Sequence, residues 1–265
     1  WTLAGPSLAT GAAYYDVAWN GTYFLAAGTP GTAFNYSSDG KSWTSSGFNT
    51  ASTIYALAWN GTVWVAGGNV SGTSMYYNTS PTASLAWTSS TNIFTTQCYD
   101  IKYNGSVLVA VGTGTNAVAY SPNGTSWIGL GLTASTFTSG GYGVLWAQEL
   151  GLWMAIGVGV NRIITSPDGI TWTARDGQSV TTGVYGNAFS PLLNQWAIVG
   201  TGSAFIGTSK DLLGWFNNNT VFTTQGWCII WSSVHNLWIA GGQGTNTLAT
   251  STDGIGWTAR SRSEE

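Results

Sequence analysis

The chain has 265 residues and a formal net charge of −3, and 6% of its residues are charged, against roughly a quarter in ordinary globular proteins. Seven basic residues argue against nucleic acid, which needs a clustered basic face. No apolar run reaches the ~18 residues of a membrane-spanning helix, so no membrane insertion is expected. The surface must be made of Ser, Thr, Asn and Gly, and a chain of this length can bury one large core.

In chain order, Trp1-Thr-Leu-Ala resembles a terminal strand that lacks the three strands which precede it elsewhere. Then a pattern begins and repeats. Tyr15-Asp-Val-Ala-Trp19 has aromatics at both ends and an apolar residue in the middle, which is period two and predicts a strand. Equivalents follow at 55–59, 99–103, 142–146, 185–189 and 227–231. An apolar run ending in Gly follows each, as in Tyr23-Phe-Leu-Ala-Ala-Gly28 and Trp196-Ala-Ile-Val-Gly200, and predicts a buried strand. Asn20-Gly21, Asn60-Gly61 and Asn104-Gly105 predict tight turns between these two strands, and longer turns are expected at 147–151, 190–194 and 232–236.

A third strand then leads into Ser37-Ser-Asp-Gly-Lys-Ser-Trp43, and a fourth begins near its Trp. The element recurs at Ser121–Trp127, Ser166–Trp172 and Ser251–Trp257, with degraded copies at Ser80–Trp87 and Ser209–Trp215. The six Trp residues are 44, 40, 45, 43 and 42 residues apart, a beat that signals a repeat architecture. Asp-Gly here predicts a two-residue type I′ hairpin.

Six four-stranded meanders predict an all-β chain, a six-bladed β-propeller in a single domain over 1–265. Residues 1–14 are the extra N-terminal segment, and the blades span approximately 15–47, 55–90, 99–130, 142–175, 185–218 and 227–260. The first strand of each blade lines the axis, and the repeat Trp residues lie buried between blades. Cys98 and Cys228, near the starts of two inner strands, are expected to be free thiols.

The Ser, Asp and Trp of 37–43, 166–172 and 251–257 resemble the Asp-box (BNR-like) repeat of sialidases and of many non-enzymatic propellers, with one residue fewer between Asp and Gly. The resemblance implies a structural turn remote from any catalytic face. For a sialidase it also implies three clamping Arg residues, a Tyr–Glu nucleophile pair and an Asp acid. The four Arg residues are Arg162, Arg175, Arg260 and Arg262, none of them on an inner strand, and Glu149 lies in a turn. The chain is therefore expected to be no enzyme: no catalytic residue, metal or cofactor is assigned.

The ionisable residues on inner strands, Asp16, Asp100 and Lys102, are expected to line the channel, as an Asp–Lys pair, a hydrated group or a cation site. Recognition suits the composition better than catalysis. Loops on one face repeat in kind: Asn92-Ile-Phe-Thr-Thr-Gln97, Thr220-Val-Phe-Thr-Thr-Gln225, Thr113-Gly-Thr-Asn116 and Gly244-Thr-Asn246. Amides and hydroxyls near aromatics suit sugars, so Gln97, Asn116, Asn161, Arg162, Gln225 and Asn246 are the candidate ligand-binding residues. The expected role is a lectin-like recognition or adhesion propeller, extracellular or on a virus or phage particle, whose partner is a glycan or a surface protein. The alternatives are a structural, self-assembling subunit and, more remotely, a sialidase-type glycoside hydrolase. Eight sequons, among them Asn20, Asn35, Asn78 and Asn218, arise readily in so Thr- and Asn-rich a chain.

Overall fold

A computed structural model describes residues 12–29, 34–48, 53–69, 74–80, 87–90, 93–133, 136–175, 182–202 and 205–260. Two compact units divide the chain at 132/133. Residues 1–11 of the N-terminal segment and Arg262 lie outside the described residues.

The first unit holds three antiparallel meanders. Meander 1 is β1 (Ala13–Trp19), β2 (Phe24–Thr29), β3 (Phe34–Ser37) and β4 (Thr44–Ser45). Meander 2 is β5 (Thr53–Trp59), β6 (Trp64–Asn69), β7 (Met75–Asn78) and β8 (Thr88–Ser89). Meander 3 is β9 (Gln97–Tyr103), β10 (Leu108–Thr113), β11 (Val118–Ser121) and β12 (Ile128–Gly129). The second unit repeats the plan. Meander 4 is β13 (Gly140–Ala147), β14 (Leu152–Val158), β15 (Ile163–Ser166) and β16 (Thr173–Ala174). Meander 5 is β17 (Gly183–Ser190), β18 (Gln195–Thr201), β19 (Ile206–Ser209) and β20 (Phe216–Asn218). Meander 6 is β21 (Gln225–Ser232), β22 (Leu237–Gln243), β23 (Leu248–Ser251) and β24 (Thr258–Arg260). The described residues contain no helix.

Within each unit the core lies between successive meanders. Leu25, Ala27 and Phe34 of meander 1 meet Ile54, Leu57, Trp64 and Trp87 of meander 2. Ala197, Val199 and Ile206 of meander 5 meet Ile229, Trp238 and Ala249 of meander 6. In meanders 2 to 5 the second strand is almost wholly buried because both its faces pack, which is why it reads as a continuous apolar run. In most meanders an aromatic at the first or second residue of this strand pairs across the hairpin with the last aromatic of the first strand. Ring centroids are 4.3 Å apart for Trp19–Phe24, 5.3 Å for Trp59–Trp64, 4.7 Å for Phe189–Trp196 and 5.1 Å for Trp231–Trp238. Cross-strand aromatic pairs of this kind pin the register.

Several expected turns take another form. The connection between the third and fourth strands is not a two-residue hairpin: β3 ends at Ser37 and β4 starts at Thr44. In a type I′ turn Asp39 would have positive φ, yet of the pair only Gly40 does. Side chains organise the loop instead. Ser37 Oγ accepts from the Gly40 amide at 2.9 Å and donates to Asp39 Oδ1 at 2.9 Å, and Asp39 Oδ1 accepts from the amides of Lys41 and Ser42, both at 2.8 Å. Trp43 Nε1 closes the loop on the Gly40 carbonyl at 3.2 Å. The same bonds recur at 166–172 and 251–257; at 121–127 Asn123 replaces Asp and the Ser121 and Asn123 bonds recur, but Trp127 Nε1 does not reach the Gly124 carbonyl. At 209–215 the left-handed position holds Leu212, with φ 64°. The copy in meander 2 starts at Asn78, not Ser80, because Asn78 ends β7 and its Oδ1 receives the Ser80 amide at 2.7 Å. The Asn-Gly turns likewise span four residues, with Asn20 Oδ1 accepting from the amides of Thr22 and Tyr23. The turns expected to be longer, at 147–151, 190–194 and 232–236, are no longer than these: they span 148–151, 191–194 and 233–236, because Ala147, Ser190 and Ser232 still pair as strand residues.

Four of the repeat Trp residues, Trp43, Trp87, Trp127 and Trp172, are buried, but Trp215 and Trp257 are only partly so. The asparagine of the sequon at 35 is buried, and its amide donates to the Tyr14 hydroxyl at 2.5 Å, which closes that site to a glycan. Both cysteines are free thiols, Cys98 buried and Cys228 exposed. They are not register equivalents, since Cys98 precedes the offset of its strand and Cys228 follows it. Burial raises the Cys98 thiol well above its usual pKa. A thiol reagent at pH 8 is expected to modify Cys228 promptly in the folded protein and Cys98 only on unfolding; prompt modification of both would contradict this packing.

The loop carboxylates set an acid response. The amides of Ser42 and Lys41 hold Asp39 down to about 2. Those of Gly214 and Leu213 lower Asp211, and those of Ile255 and Gly256 lower Asp253. At Asp168 desolvation pushes upward, but the Thr171 and Ile170 amides prevail. A depressed carboxylate stabilises the fold above its unfolded value near 3.8 and loses that contribution as pH falls through the folded value. Asp16, raised by burial, has the opposite sign and gains as pH falls. Four against one, the thermal midpoint should fall between pH 5 and pH 2, and replacing all four loop aspartates by Asn should flatten that fall.

Candidate functional site

The first strand of every meander is interrupted at one residue. Pairing to the second strand skips Tyr15, Tyr55, Tyr99, Tyr142, Tyr185 and Trp227. Each skipped residue is a β-bulge, which bends the strand and re-aims its side chain. Each is aromatic. The second strand answers with Gly: a Cβ at Gly28, Gly68, Gly112, Gly157 or Gly200 would overlap the carbonyl oxygen of the opposing first strand, two residues before the bulge. That close approach is the reason the apolar runs end in Gly.

The bulged rings pack against one another from meander to meander. In the first unit Tyr15–Tyr55 and Tyr55–Tyr99 centroids are 5.2 and 5.6 Å apart. In the second, Tyr142–Tyr185 and Tyr185–Trp227 are 5.4 and 5.7 Å apart. Tyr15 and Trp227 are half exposed and the others partly buried. Each unit therefore presents an arc of three aromatic rings near the loops that precede the first strands. Burial, with Tyr185 beside it, raises the phenol of Tyr142.

Below the first unit's arc lie Asp16, Asp100 and Lys102. Lys102 Nζ pairs with Asp100 Oδ1 at 2.5 Å. Asp16 and Asp100 occupy the same register position, the first after the bulge. Asp16 Oδ2 accepts the Leu57 amide of meander 2 at 2.7 Å and its Oδ1 accepts the Val17 amide at 2.8 Å, so this carboxylate ties two meanders together. Burial raises its pKa against the pull of Lys102. Desolvation opposes the charge on Lys102, but Asp100 and Asp16 outweigh it and raise its pKa.

The loop residues do not converge on one constellation. Asn116 donates to the Ile93 carbonyl at 2.6 Å and accepts the Gly131 amide at 2.8 Å. Asn161 donates to Thr136 O and Asn246 to Val221 O, both at 2.9 Å. In each case the acceptor immediately precedes a buried Phe: Phe94, Phe137 or Phe222. The Thr after that Phe completes a staple, with Thr95, Thr138 and Thr223 Oγ1 accepting the amides of Thr115, Val160 and Thr245 at 2.9–3.0 Å. The Gly before each of those amides leaves no room for a Cβ, which would overlap the Thr hydroxyl. The likeness between these loops is thus a pattern of Phe-Thr (or Phe-Thr-Thr) against Gly-x-Asn that joins two loops of one meander. Arg162 accepts the Gly157 amide at its carbonyl. Gln97 accepts the Tyr99 hydroxyl, and Gln225 opens β21 opposite Gln243. Of the polar candidates, these two glutamines lie two residues from a bulged aromatic.

Arg175 and Arg260 reach back along their outer strands, Nε to the hydroxyls of Thr165 and Thr250 at 3.0 and 2.8 Å.

No known protein family and no curated protein sequence matches the chain. Solved structures do. YCF48 bound to D1 peptide aligns with a TM-score of 0.68 at 14% identity, covering 97% of this chain and 84% of that one. A chain of the mitotic checkpoint complex aligns at 0.67 and 17%, covering 98% and 79%. The WD40 beta propeller domain of Doa1 aligns at 0.61 and 10%, covering 94% and 81%. The extracellular domain of BT4673 from B. thetaiotaomicron aligns at 0.71 and 11%; this chain is covered to 96% but spans only 34% of that one. At these identities the likeness is one of fold, and the fold is a β-propeller.

Proposed function

We propose that the chain is a non-enzymatic recognition propeller of the Asp-box type, its six meanders the six blades of one ring, and that it binds a glycan or a surface protein through the face built by its long loops. The observation that carries this reading is the bulge: in every meander the one residue pushed out of register is a large aromatic. A strand gains nothing in pairing from a bulge, so its recurrence with an aromatic favours a purpose for the ring. Rings stapled to a rigid frame, beside Gln97 and Gln225, suit a weakly charged ligand. Hydrolysis of glycosides needs two carboxylates free to act at a set separation, and here Asp100 is paired with Lys102 and Asp16 is engaged by two amides. The neighbours support recognition in general: YCF48 is bound to a peptide, and a further match, at TM-score 0.58 and 14% identity, is a nidogen/laminin complex. BT4673's matching chain is an extracellular domain, in keeping with a place outside the cell; display on a virus or phage particle is the alternative setting of this proposal.

The test is a glycan array, followed by titration of the best ligand into wild type, Tyr185→Ala and Gln225→Ala. Binding is expected in the range of about millimolar to micromolar per site, weakened about tenfold in either variant. Absence of any ligand together with ordered self-association would favour a structural subunit instead.

A further inference from the structure

The opposite end of the second unit carries a separate feature. The turn between the first two strands of meander 5 and the Ser–Asp loops of meanders 5 and 6 border an open cleft of about 400 Å³, lined by Leu193, Gln195, Lys210, Phe216, Asp253 and Ile255. Its walls are fixed. Gln195 is buried and accepts from Trp238 Nε1 at 3.1 Å, and Thr208 Oγ1 donates to the Gly254 carbonyl at 2.9 Å across the two meanders.

The residues here break the repeat. Thr begins the fourth strand at Thr44, Thr88, Thr173 and Thr258 and Ile at Ile128, but only at Phe216, 62% exposed, does an aromatic ring begin it among the described strands. Nothing in the packing of a two- or three-residue outer strand requires that ring. Leu212 holds a left-handed backbone in the same loop, where the other described loops of this type use Gly. Its side chain is buried in the core shared by meanders 4 and 5, which accounts for a leucine there. Ile255 is exposed on the far lip. Charge is unequally available: the Asp253 carboxylate already receives two amides and the Ser251 hydroxyl, whereas Lys210 makes no ion pair among the described residues.

We propose that this cleft docks a peptide segment of a partner protein, one that presents a bulky apolar side chain to Phe216, Leu193 and Ile255 with an acidic residue beside it for Lys210. Preformed apolar pockets with a few polar groups at the lip are where such anchors bind. The site is at the other end of the strands from the aromatic arcs, so it stands or falls independently of glycan recognition.

The experiment is selection of phage-displayed random heptapeptides on the intact protein, with Phe216→Thr, the residue most meanders use here, as the counter-screen. Enriched sequences should pair an aromatic or Leu with Asp or Glu. A synthetic copy should shift the backbone amide resonances of Leu193, Lys210 and Ile255, and bind about tenfold more weakly to Phe216→Thr. Lys210→Glu should turn the preference from acidic to basic neighbours. No enrichment over the counter-screen, peptides whose shifts map elsewhere, or indifference to the Lys210→Glu change would overturn the proposal. So would a concentration-dependent dimer abolished by Phe216→Thr, which would make a second copy the occupant.

Discussion

Trp238→Ala is expected to destabilise the protein by about 3–5 kcal/mol, the range for deleting a large core aromatic, and to lower the thermal midpoint by on the order of 10 °C. Trp238 is fully buried and packs against Ala197, Val199 and Ile206 of the preceding meander. Its indole also satisfies Gln195, itself 2% exposed, at 3.1 Å. Losing the ring opens a void and strands a buried amide, and the second effect alone costs about 1–3 kcal/mol. Trp238→Phe separates the two, since it keeps most of the apolar area but not the donor. Trp172→Ala, near the loop end of its meander and 6% exposed, falls in the same range without a stranded side-chain amide. Thermal unfolding of the three variants checks the order; if Trp238→Ala unfolded within a degree or two of wild type, the inter-meander packing described above would be wrong.

Gly200→Ala should be worse than its single methyl implies. The new Cβ would overlap the carbonyl oxygen of Gly183 and lie 3.0 Å from the Cα of Val184, both backbone atoms of the bulged strand. No rotamer relieves such a contact, so β17 and β18 must part at the bulge. The cost is expected to exceed the ~1–3 kcal/mol of ordinary overpacking, with loss of the Tyr185–Trp227 contact visible in tryptophan fluorescence. Gly61→Ala is the control. Gly61 has φ 93° but nothing within 4 Å of a Cβ, so it carries only the backbone penalty of about 1–2 kcal/mol. Comparable midpoints for the two variants would mean that the bulge can relax and does not fix its aromatic residue.

The repeat, the four strands of each meander and the division of strands by Gly, Asn and Asp were legible in the sequence. These depend on neighbours along the chain: alternation sets a strand, and a short polar side chain bonding its own backbone sets a turn. Even there Asp-Gly by itself points to a two-residue hairpin, because it does not show that Ser37 and Trp43 close the loop from outside the pair. What only the tertiary structure decided involves partners distant along the chain. A bulge exists only relative to the strand opposite, so Tyr15 and its five counterparts look like ordinary strand aromatics until Gly28 and its equivalents are laid beside them. That Asp16 accepts the Leu57 amide, 41 residues on, is likewise invisible in the sequence. That Asn116, Asn161 and Asn246 donate to backbone carbonyls more than 20 residues earlier also shows only in the fold. Composition tells how many polar groups a low-charge chain has, and only the packed fold determines which of them are already engaged.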